Sequence, residues 1–411
     1  MTTVLNGIRV LDMTRVLAGP WSTQILGDLG AEVIKIERPN GGDDTRSWGP
    51  PYLKDADGNE LSDAAYFASA NRNKQSVAID FRSAEGLELL LGLVDSADIL
   101  IENFKVGGLA KYGLDYAALT ARNPRLIYCS ITGFGQDGPY ARRAGYDFMI
   151  QAMCGLMSVT GQADGMPGAE PMKIGVALTD ILTGLYATIG VLSALRVRDE
   201  TGKGQHIDIS LMDVSVASMA NQALNYLTTG VAPTRMGNSH PNLVPYQVFP
   251  TSDGHLVIAV GNNRQFGSLC DAIGHPDLAK DARFAEPAQR VKHRTALIAI
   301  LSAATTTQTV AYWMETLTAR HVPCGPINDL DAVFKNPQVI ARELHVDLPH
   351  AGGGVSPTVA SPLRFSETPV QYRSAPPQLG QHSAEILTTL LNLTQSNIAE
   401  LEANGVIKTT P

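Results

Sequence analysis

Asp180 follows the β-prone run Lys173-Ile-Gly-Val-Ala-Leu178 and stands directly before a long apolar segment, residues 181–195. That order predicts a strand handing over to a helix, with the carboxylate among the unpaired N–H groups at the helix's positive end. Such a turn favours bound anions and developing oxyanions, so a carboxylate there can act as a nucleophile in acyl chemistry. An Asp at a helix start also suits a plain N-cap role. Its company must decide between the two.

That company is a set of short segments rich in small residues, amides and isolated cations: Thr14-Arg-Val-Leu-Ala-Gly-Pro20, Glu37-Arg-Pro39, Asn71-Arg-Asn-Lys74, Glu102-Asn-Phe-Lys105 and Ile131-Thr-Gly-Phe134. Arg and Lys suit phosphate, Asn and backbone N–H suit polar edges, and Phe104 suits a stacked ring. Taken together they could line a cleft for a ligand with several phosphates and an adenine. Taken singly, Arg38 reads as a solvated charge and Phe104 as a core residue.

The elements that must hold these segments are legible as apolar runs. Strands are expected at residues 8–12, 32–36, 76–80, 98–102 and 125–129, with helical patterns at 21–29 and 83–94 between them. Strands alternating with helices predict an α/β fold with a largely parallel, doubly wound sheet, whose ligands lie beyond the carboxyl ends of the strands. From about residue 222 prolines break the pattern, short strands follow at 246–249 and 256–260, and helices dominate 290–321. The expected organisation is a large domain, 1–224, a smaller α+β domain, 225–330, and a segment, 331–411, whose closing helical pattern at 383–404 completes the large domain.

Composition narrows the function. A length of 411 residues calls for more than one core. The formal charge of −8 disfavours nucleic acid and anionic membranes, which need basic surface. The four cysteines form no C-x-x-C pair, the N-terminus carries no export pattern, and the apolar run 181–195 is short for a bilayer span, so a cytoplasmic protein without disulfides is expected. The motifs of dinucleotide-binding folds, P-loops, serine hydrolases and zincins are missing, and the histidines show no metal-ligand spacing; no metal is expected.

The runs Arg9-Val-Leu-Asp-Met-Thr-Arg-Val-Leu-Ala-Gly-Pro20 and Leu29-Gly-Ala-Glu-Val-Ile-Lys-Ile-Glu-Arg-Pro39 resemble the opening of the class III (CaiB/BaiF) CoA-transferases. The likeness continues in order through Asn71-Arg-Asn-Lys74, Glu102-Asn-Phe104, Gly145-Tyr-Asp147, Gly155-Leu-Met-Ser-Val-Thr-Gly161 and Thr201-Gly-Lys-Gly-Gln-His-Ile-Asp208. Arg46-Ser-Trp-Gly-Pro-Pro51, Val244-Pro-Tyr-Gln-Val-Phe249, Gly261-Asn-Asn-Arg-Gln-Phe266 and Gly325-Pro-Ile-Asn328 bring it nearest the succinyl-CoA:glutarate branch. The resemblance implies a Rossmann-like large domain and an interlocked homodimer. It also implies that Asp180 is the nucleophile, carrying first an aspartyl-acyl anhydride and then an aspartyl-CoA thioester. Coenzyme A is then substrate, with no prosthetic group. Its cleft would draw on Arg15, Leu17, Ala18, Arg38, Asn71, Arg72, Asn73, Lys74, Asn103, Phe104, Lys105, Lys111, Ile131, Thr132, Gly133 and Phe134.

The likeness departs at one loop. Several relatives place a glycine-only lid over the active site, where this chain reads Gly237-Asn-Ser-His-Pro-Asn-Leu243; His240 there could help bind an acid. A dicarboxylate acceptor needs a cation for its second carboxylate, for which Arg235 and Arg264 are candidates. The alternative enzyme is an α-methylacyl-CoA racemase or epimerase. The racemases carry His in the Gly-His-Asp context, whereas this chain has Tyr146, and a phenol is a poor base at neutral pH. A silent CoA-binding subunit would keep the cleft and dispense with Asp180.

Overall fold

The computed structural model describes residues 3–410. The chain forms two compact units: Met1–Leu156, Ile174–Thr229 and Gln338–Pro411 make the first, Met157–Lys173 and Gly230–Pro337 the second. The expected limits 225–330 therefore differ at several points. Residues 225–229 end a helix of the first unit, Met157–Lys173 joins the second, and the second unit runs on to Pro337.

The strands of the first unit are Arg9–Met13 (β1), Glu32–Glu37 (β2), the hairpin Tyr52–Lys54 (β3) and Glu60–Ala64 (β4), then Lys74–Ile79 (β5), Ile99–Glu102 (β6), Ile127–Thr132 (β7) and His206–Ser210 (β8). Its helices up to residue 229 are Ala18–Asp28 (α1), Ala65–Ala68 (α2), Ala84–Asp95 (α3), Tyr116–Arg122 (α4), Asp147–Met153 (α5), Leu156–Val159 (α6, at the unit boundary), Leu178–Thr201 (α7), Leu211–Ser218 (α8) and Ala220–Thr229 (α9).

Successive apolar residues of the strands serve opposite faces, as a period of two requires. Val10, Val33, Ile99 and Ile127 point to the side packed with Leu26, Ala187, Val191 and Leu195. Leu11, Ile34, Leu100 and Tyr128 point to the side packed with Leu90, Leu93, Ile386 and Leu387. Burial on both faces is what makes these strands continuous apolar runs and a parallel sheet. The sheet order is Ile407–Lys408, β5, β2, β1, β6, β7, β8, and every pair is parallel except the C-terminal strand against β5. The chain thus builds outward from β1 through β2 to β5, then returns to place β6 on the other side of β1. The switch point lies between β1 and β6, where open α/β sheets bind ligands.

α7 is longer than the run 181–195 implied, because its last turns carry Arg196, Arg198 and Glu200 before Gly202 stops it with a left-handed φ of 73°. At 24 residues it is long and apolar enough to cross a membrane, but its inner side packs on α1, β7 and β8. Gly184 permits the approach to α1: a Cβ there would stand 2.6 Å from the carbonyl oxygen of Ala18. The strand expected at 173–178 does not form; residues 171–177 are irregular and α7 starts at Leu178. Gly175 and the loss of a neighbouring strand outweigh the local β propensity.

In the second unit Tyr246–Pro250 (β9), His255–Ala259 (β10) and Cys324–Pro326 (β11) form an antiparallel sheet ordered β11, β10, β9. Phe249, Leu256, Ile258, Phe266, Leu297, Leu301 and Trp313 make its core beneath the helices.

Candidate active site

The loops after β1, β6 and β7 converge at the switch point into one cleft. It is lined by Arg15, Val16, Leu17, Ala18, Asp44, Asn103, Phe104, Lys105, Val106, Ile131, Thr132 and Gly133, by residues 141–146, and by Asp180 and Leu211. Asp180 is the third residue of α7 and is 9% exposed. Burial, followed by the like charge of Asp147, pushes its carboxyl up to about 7. The helix dipole acts the other way, favouring the anion. The result is a carboxylate on the edge of ionisation at neutral pH in a water-poor position, which is what a nucleophile for acyl transfer requires.

The β1 loop is held rigidly. Arg15 N donates to Asn103 Oδ1 at 3.0 Å, Asn103 Nδ2 returns a bond to the Arg15 carbonyl at 2.7 Å, and Val16 N donates to Asp43 Oδ1 at 3.3 Å. These bonds support Val16 at φ 71°, a conformation that costs a β-branched residue about 1–3 kcal/mol. α1 then starts at Ala18 without a side-chain cap, and Leu17 and Ala18 line the cleft, so the first N–H groups of α1 are available to an anion.

Arg15 and Phe104 also wall a second hollow with Arg38, Gly42, Phe81 and Arg82, so the two hollows share a boundary. Arg15 pairs with Asp44 at 3.3 Å, Arg38 pairs with the other oxygen of the same carboxylate, and Arg15 Nε is buried without a partner. Two guanidinium groups held by one carboxylate leave excess positive charge for phosphate. Phe104 packs edge-on to Phe81 at 5.9 Å, and the Arg15 guanidinium lies 5.5 Å from its ring centre.

Ten of the residues read from the sequence therefore meet in the first hollow: Arg15, Leu17, Ala18, Asn103, Phe104, Lys105, Ile131, Thr132, Gly133 and Asp180. Arg38 joins them through the second. Asn71, Arg72, Asn73 and Lys74 are instead buried and occupied. Lys74 Nζ bonds to Asp12 Oδ2 at 2.9 Å, Asn71 Oδ1 at 2.9 Å and the Pro20 carbonyl at 3.0 Å. Arg72 clamps Asp28 with two bonds, and Asn73 bonds to the same carboxylate at 2.8 Å. These groups hold α1 to β5 rather than line the cleft. Lys111 sits on an exposed turn with its ammonium 4.7 Å from the Tyr112 ring centre. Phe134 packs on Tyr140 and under Arg143.

Sequence reasoning missed Asp44, Arg142, Arg143 and Tyr66. The adjacent Arg142 and Arg143, just ahead of Gly145-Tyr-Asp147, were the available signal. Tyr66 on α2 feels the charges of Asp180 and Asp147, and burial above all pushes its phenol up to about 12, so it stays a hydrogen-bond donor. In the second unit His240 Nδ1 accepts the N–H groups of Asn242 at 3.0 Å and Leu243 at 3.1 Å, while burial and Arg294 hold the ring below the ordinary His value. Arg235 pairs with Asp164, and Arg264 is exposed. Among the described residues no cluster of His, Cys, Asp and Glu is arranged to hold a metal ion.

A cleft at the switch point of a parallel sheet, with cations along it and a neutral-titrating carboxylate at one end, fits an acyl-transfer enzyme, and comparison with known proteins agrees. Residues 5–383 match the model of CoA-transferase family III. The chain belongs to that family and is a CoA-transferase. It is 50% identical to the succinate–glutarate CoA-transferase of Agrobacterium fabrum over 94% of this chain and 95% of that one. It is 42% identical to the succinyl-CoA:glutarate CoA-transferase of Mus musculus, over 98% of this chain and 90% of its relative. The crystal structure of a CAIB/BAIF family protein from Brucella suis superposes with a TM-score of 0.82 at 51% identity, covering 95% of this chain and all of that one.

Proposed function

We propose that the protein moves CoA from succinyl-CoA to a dicarboxylic acid of the glutarate type, with Asp180 as the covalent carrier. A carboxylate oxygen of Asp180 attacks the thioester carbon and expels CoA thiolate, leaving a mixed anhydride. The thiolate then attacks the Asp180 carboxyl carbon, releasing the donor acid and leaving an aspartyl thioester. The acceptor carboxylate attacks that carbon and frees the thiolate, which takes the acceptor's acyl group and restores Asp180. Each step exchanges one acyl bond for another, so no electrons are needed from outside.

The observation that carries this reading is the placement of Asp180, a nearly buried carboxyl pushed up to about 7 and facing the cation-lined cleft. The first unit would hold CoA, its phosphates on Arg15 and Arg38 and its adenine near Phe104. The identities of the most similar relatives support succinyl-CoA as donor. Exposed Leu185, Tyr186 and Ile189 on α7 and Leu224 and Leu227 on α9 support a homodimer, interlocked as the family resemblance implies. The four free cysteines suit a reducing cytoplasm. A panel of acyl-CoA donors and mono- and dicarboxylate acceptors, run with wild type and Asp180→Ala, tests the assignment. Exchange of the α-hydrogen for deuterium without CoA transfer would contradict it.

A further inference from the structure

Asp147 opens α5 and reaches the start of α7. Its Oδ1 accepts the backbone N–H of Thr179 at 2.9 Å and the Thr179 hydroxyl at 2.6 Å, while Oδ2 accepts from Gln151 Nε2 at 2.8 Å. The Gln151 amide oxygen in turn accepts the N–H of Ile174 at 2.9 Å. Gln151 is fully buried, so water does not substitute for its partners. The donors of this relay converge on Asp147. Backbone N–H groups donate inward from both ends, an ionised carboxylate only accepts, and a carboxamide both donates to it and accepts from Ile174. α7 needs the relay, because its N-cap residue, Ala177, has no side-chain oxygen and residues 174–177 are irregular.

We propose that Asp147 and Gln151 are positioning residues that cap α7 from the neighbouring helix and keep the Asp180 carboxylate aimed into the cleft through each covalent transfer. This rests on the reading of Asp180 as nucleophile. Thr179, which the relay grips, is the residue before Asp180, so loosening the grip misaims the attack without touching the CoA cations. Asp147 also opposes the ionisation of Asp180, second to burial. The other ionisable groups around Asp180 are Tyr66, which feels its charge, and Arg15, Asp44, Lys105, Arg142, Arg143 and Tyr146 of the same cleft. All of these are unchanged when Asp147 is replaced.

The test is steady-state exchange between succinyl-CoA and glutarate by the full chain, across pH 5–9. Asp147→Asn reverses one link of the relay and removes the charge, so kcat should fall about tenfold or more while KM for succinyl-CoA holds. The acid limb of kcat/KM should also move to lower pH. Gln151→Met should lower kcat and leave that limb in place. Thr179→Val should be slow, and Thr179→Ser should recover most of wild-type kcat; this pair keeps the test open if Asp147→Asn fails to fold. Wild-type kcat in both Asp147→Asn and Thr179→Val, or equal impairment of the Val and Ser variants, would overturn the proposal. Asp180→Ala in the same assay separates the two claims. An inactive Asp180→Ala beside unimpaired relay variants sinks the relay alone, and an active one sinks both.

Discussion

At the scale of single residues, Asp180 makes two opposed demands that pH can separate. Its carboxyl rises from the usual 3.8 to about 7, so the folded chain holds that proton more tightly than the unfolded chain does. Stability contributed by the group is present below pH 4, is lost as pH rises toward 7, and stays lost above it; the full penalty is on the order of 4 kcal/mol. Asp180→Asn should therefore match wild type in urea unfolding near pH 4 and exceed it by up to that amount at pH 8. On the proposed role of Asp180 activity runs the other way, because the anion would be the nucleophile: kcat/KM should fall below an apparent pKa near 7. The cations of the cleft make a different prediction. Arg15→Ala should raise KM for the CoA donor roughly tenfold or more, the worth of a charge-assisted phosphate contact, with a smaller effect on kcat.

The place of Asp180 at the head of α7 was legible from the apolar run that follows it, whereas position alone left it open between an N-cap and a nucleophile. Lys74 was not legible, since a lysine at a strand start reads the same whether it faces a phosphate or a buried carboxylate 62 positions away. Lys74→Met should strip the buried Asp12 of its ion-pair partner, leaving it the Thr14 and Thr23 hydrogen bonds and the more remote charge of Lys35, and should cost about 3 kcal/mol in denaturant unfolding. A variant that stays fully stable but loses CoA affinity would return Lys74 to the cleft.

Among the elements, legibility followed burial. β1, β2, β6 and β7 are packed on both faces and so appear in the sequence as plain apolar runs. β8, His206–Ser210, alternates with polar residues at the sheet edge and was passed over as a strand. The run Lys173-Ile-Gly-Val-Ala-Leu178 misled in the opposite direction, because its backbone bonds to the Gln151 side chain of α5 and not to a neighbouring strand. The loops that shape the cleft depend on a close crossing that composition alone does not reveal. A Cβ on Gly133 would meet the Gly145 Cα at 2.5 Å, and one on Gly145 would meet the Gly133 Cα at 2.4 Å. Both contacts are with backbone, so neither neighbour can turn aside. Gly145→Ala should lower stability by about 1–3 kcal/mol and weaken binding of the CoA donor as the segment carrying Arg142 and Arg143 is displaced. Unchanged melting and unchanged KM would show that the crossing tolerates a methyl group.

For the whole molecule, the sequence conveyed two folding units but not their borders. Met157–Lys173 belongs to the second unit although it lies inside the span of the first; Pro167 and Pro171 stand near its return, but inside an otherwise unbroken span they read as a turn and not as a border. The exposed apolar faces of α7 and α9 argue that the chain does not work alone. Sedimentation should find twice the 43.9 kDa chain mass at micromolar concentration, and a monomer of full activity would remove that inference. The central claim, however, concerns one bond. Protein incubated with succinyl-CoA, quenched with hydroxylamine and mapped by peptide mass spectrometry should carry a hydroxamate on residue 180 and on no other carboxylate. No hydroxamate at residue 180 in enzyme quenched while loaded with donor, or a hydroxamate on another carboxylate instead, would contradict the account.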